Sequence, residues 1–226
     1  MGAMTERLKK DDFLIHVGFE DVKTKLHLQD QDDVDFVQPL FEHAMYIVRP
    51  KAIYCAASVD DISDDRVTIC GTTFQSAVMA KNLKDVHLVY AYVVTCGIEV
   101  DDWSSGYKDY FVKIWLDMIK EMILFDTMTQ FTDVICNKYG IEKYATMNPG
   151  SGNVDVWPIT QQRMLFELIG DVQKDSGVYL TNSFLMVPTK SVSGILFPSE
   201  SGYRNCEVCT RKSCLHRKAP YNPALS

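Results

Sequence analysis

No apolar run in this chain is long enough to cross a bilayer; the longest stretches, such as residues 86–94, fall far short of the ~20 residues a spanning helix needs. The start of the chain also lacks the basic-then-apolar layout of a secretory signal, so the expectation is a soluble, cytoplasmic protein. Positive charge is scarce. With 23 Lys and Arg against 30 Asp and Glu, the net charge of -7 argues against a general nucleic-acid surface, because phosphate binding depends on clustered cations that release counterions. Gly150 and Gly152 are not followed by the third glycine of a dinucleotide fingerprint, nor by the Lys-Ser/Thr pair of a phosphate loop. His16, His27 and His43 are scattered, with no Ser or Cys in an activating frame, which leaves a hydrolase triad without support. Internal repeats, low-complexity segments and an evident linker are likewise missing.

What is present is ordinary globular material: 226 residues, 46% hydrophobic, enough for a substantial packed core. Gly2, Ala3 and Met4 after Met1 read as a remnant of tag cleavage, with the natural start at Met4. Residues 13–15 read as a short strand. Phe19, Val22 and Leu26 carry helical spacing, the acidic run 29–33 is a connector, and residues 35–48 form a helix before Pro50. Residues 51–59 and 66–70 predict an antiparallel hairpin, residues 76–83 a helix, and the β-branched and aromatic run 86–95 a central strand. Apolar residues recurring every three or four positions predict one long helix over 103–136. A glycine and proline loop, 148–158, precedes a helix over 160–169, and two strands follow over 179–187 and 191–197. The pattern predicts an α/β (α+β) fold, a single domain with a mostly antiparallel twisted sheet and packed helices. An N-terminal helical and extended segment occupies residues 1–48 and the main domain residues 49–226.

Two features carry chemistry. The loop at Gly150 and Gly152 lies directly before a helix, where free backbone amides can cradle a carboxylate or phosphate; a plain structural turn is the alternative. Near the C-terminus, Cys206, Cys209 and Cys214 are separated by gaps of two and four residues, spacing that lets one turn aim several thiolates at one ion. Seven cysteines, an odd number, argue for reduced thiols or metal ligands rather than a disulfide framework. The candidates are zinc, with His216 as fourth ligand, an iron-sulfur cluster completed by Cys55, Cys70, Cys96 or Cys136, or free redox-active thiols. Arg204, Arg211, Lys212, Arg217 and Lys218 make the same segment a basic patch on an acidic protein, either solvated or a docking surface. The stretch from Asp85 to Tyr90 resembles the start of an Asp-x-His-x-x-Gly corrinoid pattern, but Tyr90 replaces the glycine, and His87 reads as a strand residue.

Three segments together resemble the activation domain of cobalamin-dependent methionine synthase and its shorter stand-alone relatives: residues 72–102, with the turn Thr95-Cys96-Gly97; residues 148–170, with Asn148-Pro149-Gly150 and Trp157-Pro158; and residues 180–194, LTNSFLMVPTKSVSG. The cysteine tail is similar to that of the stand-alone relatives. The resemblance covers the chain from about Arg49 onward. It implies an accessory role in corrinoid methyl transfer: reductive reactivation of a cobalamin-carrying partner, with S-adenosylmethionine as cofactor and a flavodoxin- or ferredoxin-like electron donor. It places Pro149, Gly150, Gly152 and Tyr203 at the cofactor. The family's loop arginine falls at Thr146 and its loop tyrosine at Ser151, so a charge-assisted bond worth ~2 kcal/mol has no matching residue there. An iron-sulfur cluster at the cysteines would make the chain an electron-transfer component or reactivase of a methyltransferase; structural zinc would make it a protein-interaction module without turnover.

Overall fold

The computed structural model describes residues 4–8, 12–153, 155–214 and 217–222. In chain order the elements are β1 (Met4–Leu8), α1 (Phe19–Leu26), α2 (Gln31–Ile47), β2 (Lys51–Ile62), β3 (Arg66–Ile69), β4 (Thr72–Gln75), α3 (Ala77–Asn82), β5 (Leu88–Thr95), α4 (Ile98–Ser105), α5 (Tyr110–Tyr139), β6 (Tyr144–Met147), α6 (Gln162–Ile169), α7 (Val172–Ser176), β7 (Tyr179–Leu180), β8 (Met186–Val187) and β9 (Ser191–Pro198). Seven strands form one antiparallel sheet in the order β4-β3-β2-β5-β9-β6, and β1 pairs with β2 beside β3. Strand β2 serves two neighbours on one edge because it is long. Its first part pairs with β1, through Ala52 to Ala56, and its far end, from Val59, pairs with β3.

The sheet is covered on both faces. Ile53 and Cys55 of β2, Val89, Ala91 and Val93 of β5 and Ile195 and Phe197 of β9 pack under α3, α6 and α7. Tyr54, Tyr90, Tyr92, Val94 and Leu196 point the other way, against α1, α2, α4 and α5. A strand buried on both faces has no reason to alternate, which is why β5 reads as a continuous apolar run. This is the expected single-domain mixture of helix and antiparallel sheet.

Several local expectations differ from the structure. Residues 13–15 are extended but join no sheet: the side-chain amide of Gln130 on α5 satisfies both the N–H (3.0 Å) and the carbonyl (2.9 Å) of Leu14, as a strand partner would. The acidic run 29–33 is the start of α2 rather than a connector, capped by Asp30, whose carboxylate accepts from Asp32 N at 3.0 Å. The long helix is two, α4 and α5, divided at Gly106. The strand over 179–187 is the hairpin β7-β8, turned by Phe184 at φ 63°. Strands β1, β4 and β6 are not evident in the sequence pattern. Residues 1–3 lie outside the described residues.

Candidate functional site

Strand β6 leaves the sheet edge at Met147 and delivers the chain into the loop 148–158. Asn148 holds that loop to the sheet. Its Nδ2 donates to Tyr92 Oη (2.9 Å) and to the Ser193 carbonyl (2.8 Å), while its Oδ1 accepts from Asn205 Nδ2 (3.0 Å). One side chain therefore ties β5, β9 and the cysteine segment together. Gly194 permits it, since a Cβ there would strike the Met147 carbonyl oxygen and the Asn148 amide. At the loop's far end Trp157 is buried edge-on against Phe74, ring centroids 5.6 Å apart, and Ser76 Oγ donates to the Val156 carbonyl.

Between this loop, β6, β9 and the segment 202–206 lies a cleft of about 780 Å³. Pro149, Gly150 and Tyr203 line it, as do Thr146 and Ser151, the two positions where the family pattern is broken. Gly152 is not on the wall. Its φ of 80° and the Asn205 carbonyl, 3.0 Å from where a Cβ would sit, show that its role is close packing on the cysteine segment. The expected amide cradle is also not open: Gly150 N donates to the Trp157 carbonyl (2.8 Å) and Ser151 N to the Asn148 carbonyl (3.2 Å). What the walls offer instead are hydroxyls. Ser193 and Tyr203 are 3% and 4% exposed, both line the cleft, and neither Ser193 Oγ nor Tyr203 Oη has a hydrogen-bond partner among the described residues. A buried, unpaired hydroxyl costs on the order of 1–3 kcal/mol, so these two, one on β9 and one on the segment 202–206, each leave a hydrogen bond unmade. Burial, then the nearby Glu207 and Cys206, push the Tyr203 phenol well above its usual range and keep it a neutral donor.

The cysteines do not converge. Among the described residues no group of three or more His, Cys, Asp or Glu side chains is placed to hold a metal ion, and His216 lies outside them. Cys206 faces the cleft from a 3-10 turn, Asn205–Val208, and its Sγ accepts from Lys218 N at 3.3 Å. Arg217 organises this loop through its backbone. Its guanidinium donates to the carbonyls of Cys206 (3.0 Å), Cys209 (3.2 Å), Ala219 (3.3 Å) and Arg211, so the loop closes around a side-chain cation. Of the fourth-ligand candidates, Cys55 and Cys96 are fully buried in opposite cores, their thiols pushed up to about 12, chiefly by burial.

Sequence reasoning placed Arg204 only in a basic patch, not at this cleft, and missed Ser193 and the role of Asn148 as a hub. Arg204 joins the site through a parallel bridge to Thr146 that no spacing announces.

Most of the residues lining this cleft fall in a stretch that matches a family model. Residues 126–216 match the model of the family described as the vitamin B12 dependent methionine synthase activation domain. Among solved structures, the chain is similar to the crystal structure of the MetH reactivation domain bound to AdoHcy, at a TM-score of 0.61 and 16% identity, over 90% of this chain and 81% of that one. The fold is thus that of a methionine synthase reactivation domain, as the sequence resemblance implied. No curated protein sequence matches the chain.

Proposed function

We propose that this chain is a cytoplasmic accessory of corrinoid-dependent methyl transfer, supporting the reductive reactivation of a cobalamin-carrying partner, and that its cleft takes S-adenosylmethionine or the demethylated product. The observation that carries this reading is the pair of buried, unpartnered hydroxyls, Ser193 Oγ and Tyr203 Oη, on the wall of a cleft whose volume suits a nucleoside-sized ligand. S-adenosylmethionine, when bound, supplies an electrophilic methyl group. The chain's own task is then to bind and orient it, with the loop 148–152 as one wall and β9 as the other. The electron would come from a flavodoxin- or ferredoxin-like donor, since among the described residues no cysteine group is placed to hold a cluster.

Isothermal titration calorimetry with S-adenosylhomocysteine tests the reading. Saturable binding at micromolar to submillimolar ligand is expected, with weakening of about tenfold in Tyr203→Phe, which removes one of the two hydroxyls. No heat at millimolar ligand would overturn it. The second reading, a zinc-stabilised interaction module, requires Cys206, Cys209 and Cys214 to rearrange; one equivalent of zinc per chain in protein purified anaerobically would favour it.

A further inference from the structure

We propose that Arg204 is the cation that pairs with the carboxylate of the cleft's ligand, occupying in space the place left vacant in sequence at Thr146. The inference rests on the reading above and assigns the residue that sets ligand class: a nucleoside bearing an amino-acid carboxylate rather than a bare nucleoside thioether.

The argument starts from the cations on the cleft wall, which are Lys143, Arg204 and Lys218. One lysine is ion-paired at the surface and the other lies over an aromatic ring. Lys143 Nζ lies 2.8 Å from Glu200 Oε2. Lys218 Nζ sits 5.7 Å above the centre of the Phe125 ring. Arg204 differs in that its backbone is fixed while its head group is not. Its N–H donates to the Glu207 carboxylate at 2.8 Å, and a parallel bridge joins it to Thr146. Among the described residues, by contrast, the bond drawn from its guanidinium is a 3.5 Å contact from Nη1 to the Lys218 carbonyl. A guanidinium has five N–H donors in a planar fork that matches a carboxylate, so most of this one's capacity is unspent.

Position completes the case. Ala145 and Met147 of β6 are buried in the core under α6, whereas the intervening Thr146 lines the cleft. Residues bridged side by side project from the same face, so an arginine at 204 rises next to the small side chain at 146. Its charge reaches that space: the Tyr144 phenol, raised first by burial and then by Cys136 and Asp133, is pulled back by Arg204.

The test is calorimetry on the full chain with two ligands, S-adenosylhomocysteine and 5′-methylthioadenosine, which keeps the adenosine and thioether but has no carboxylate. The unaltered protein is expected to bind S-adenosylhomocysteine at least about tenfold more tightly. Arg204→Met should abolish that preference, dropping S-adenosylhomocysteine to the level of 5′-methylthioadenosine while leaving the latter unchanged. Adding Thr146→Arg to Arg204→Met should restore the preference. If Arg204→Met binds both ligands as the unaltered protein does, the inference fails and the proposed function stands; if both weaken equally, Arg204 merely supports the wall and the inference again fails. If the unaltered protein binds neither ligand, the functional reading itself has failed. Should Arg204→Met not fold, Arg204→Lys, which keeps the charge but not the fork, is expected to lose several-fold of the preference, and an undiminished preference there would overturn the inference.

Discussion

Asn148 shows how much of this site depends on one uncharged side chain. Each of its amide atoms is used: Nδ2 on Tyr92 Oη and the Ser193 carbonyl, Oδ1 on Asn205. Asn148→Ala would leave those partly buried partners without these bonds. The expected cost is about 1–3 kcal/mol, seen as a lower urea midpoint at unchanged slope, together with weaker ligand binding, because Ser193 and the segment carrying Arg204 would lose their common tether. A stability loss below about 0.5 kcal/mol would show that the hub is dispensable. In the sequence Asn148 is visible only as the first residue of a glycine loop. Its importance arises from Gly194, a residue that is adjacent in space and remote in the chain, and whose missing Cβ makes the room.

At the scale of elements, periodicity was a good guide where a segment meets one layer and a poor one where two segments meet the same layer. Helices α4 and α5 both turn apolar residues, among them Val100, Val112, Leu116 and Ile119, into a single core, so the pattern runs on across the break between them. The break is written instead in Ser104, Ser105, Gly106 and Asp109, the residues that stop and restart a helix. Asp109 Oδ1 accepts from Val112 N at 3.1 Å and opens the 30-residue α5. Asp109→Ala is expected to cost about 1 kcal/mol, measured as a fall in melting temperature, while Asp109→Asn, which keeps the acceptor, should cost much less. If the two variants melt alike, the cap is not what fixes the start of α5. Strands β4 and β6, four residues each, are too short to alternate visibly, and β6 matters most, since it carries Thr146 to the bridge with Arg204. The candidate site was therefore legible as a loop, a tyrosine and a cysteine segment, but not as a cleft, because the contacts that make it one join elements far apart in the chain.

For the whole molecule, the two cores can be interrogated separately through their thiols. Cys55 lies in the core under α3, α6 and α7 and Cys96 in the core under α1, α2, α4 and α5, each fully buried. Burial, with Cys70 adding to it for Cys55, raises both from the ordinary 9.0 to about 12. Between those values the unfolded chain releases the two protons and the folded chain keeps them. The folded state therefore binds more protons, and its stability must fall as pH rises. The contribution is complete below pH 9 and is lost progressively toward pH 12, at no more than about 1.4 kcal/mol per pH unit for each thiol. Tyr90, also pushed up to about 12, chiefly by burial, adds a loss of the same sign starting from its ordinary 10.0. Urea midpoints measured from pH 8 to pH 11 should decline, and both Cys55→Ala and Cys96→Ala should flatten the decline whatever they cost at neutral pH. If the layers on the two faces of the sheet unfold together, each variant changes the slope of one shared transition. If they unfold apart, the transition splits, and each variant changes only the half that contains its cysteine. A midpoint independent of pH over this range would show that neither thiol is as shielded as its burial implies.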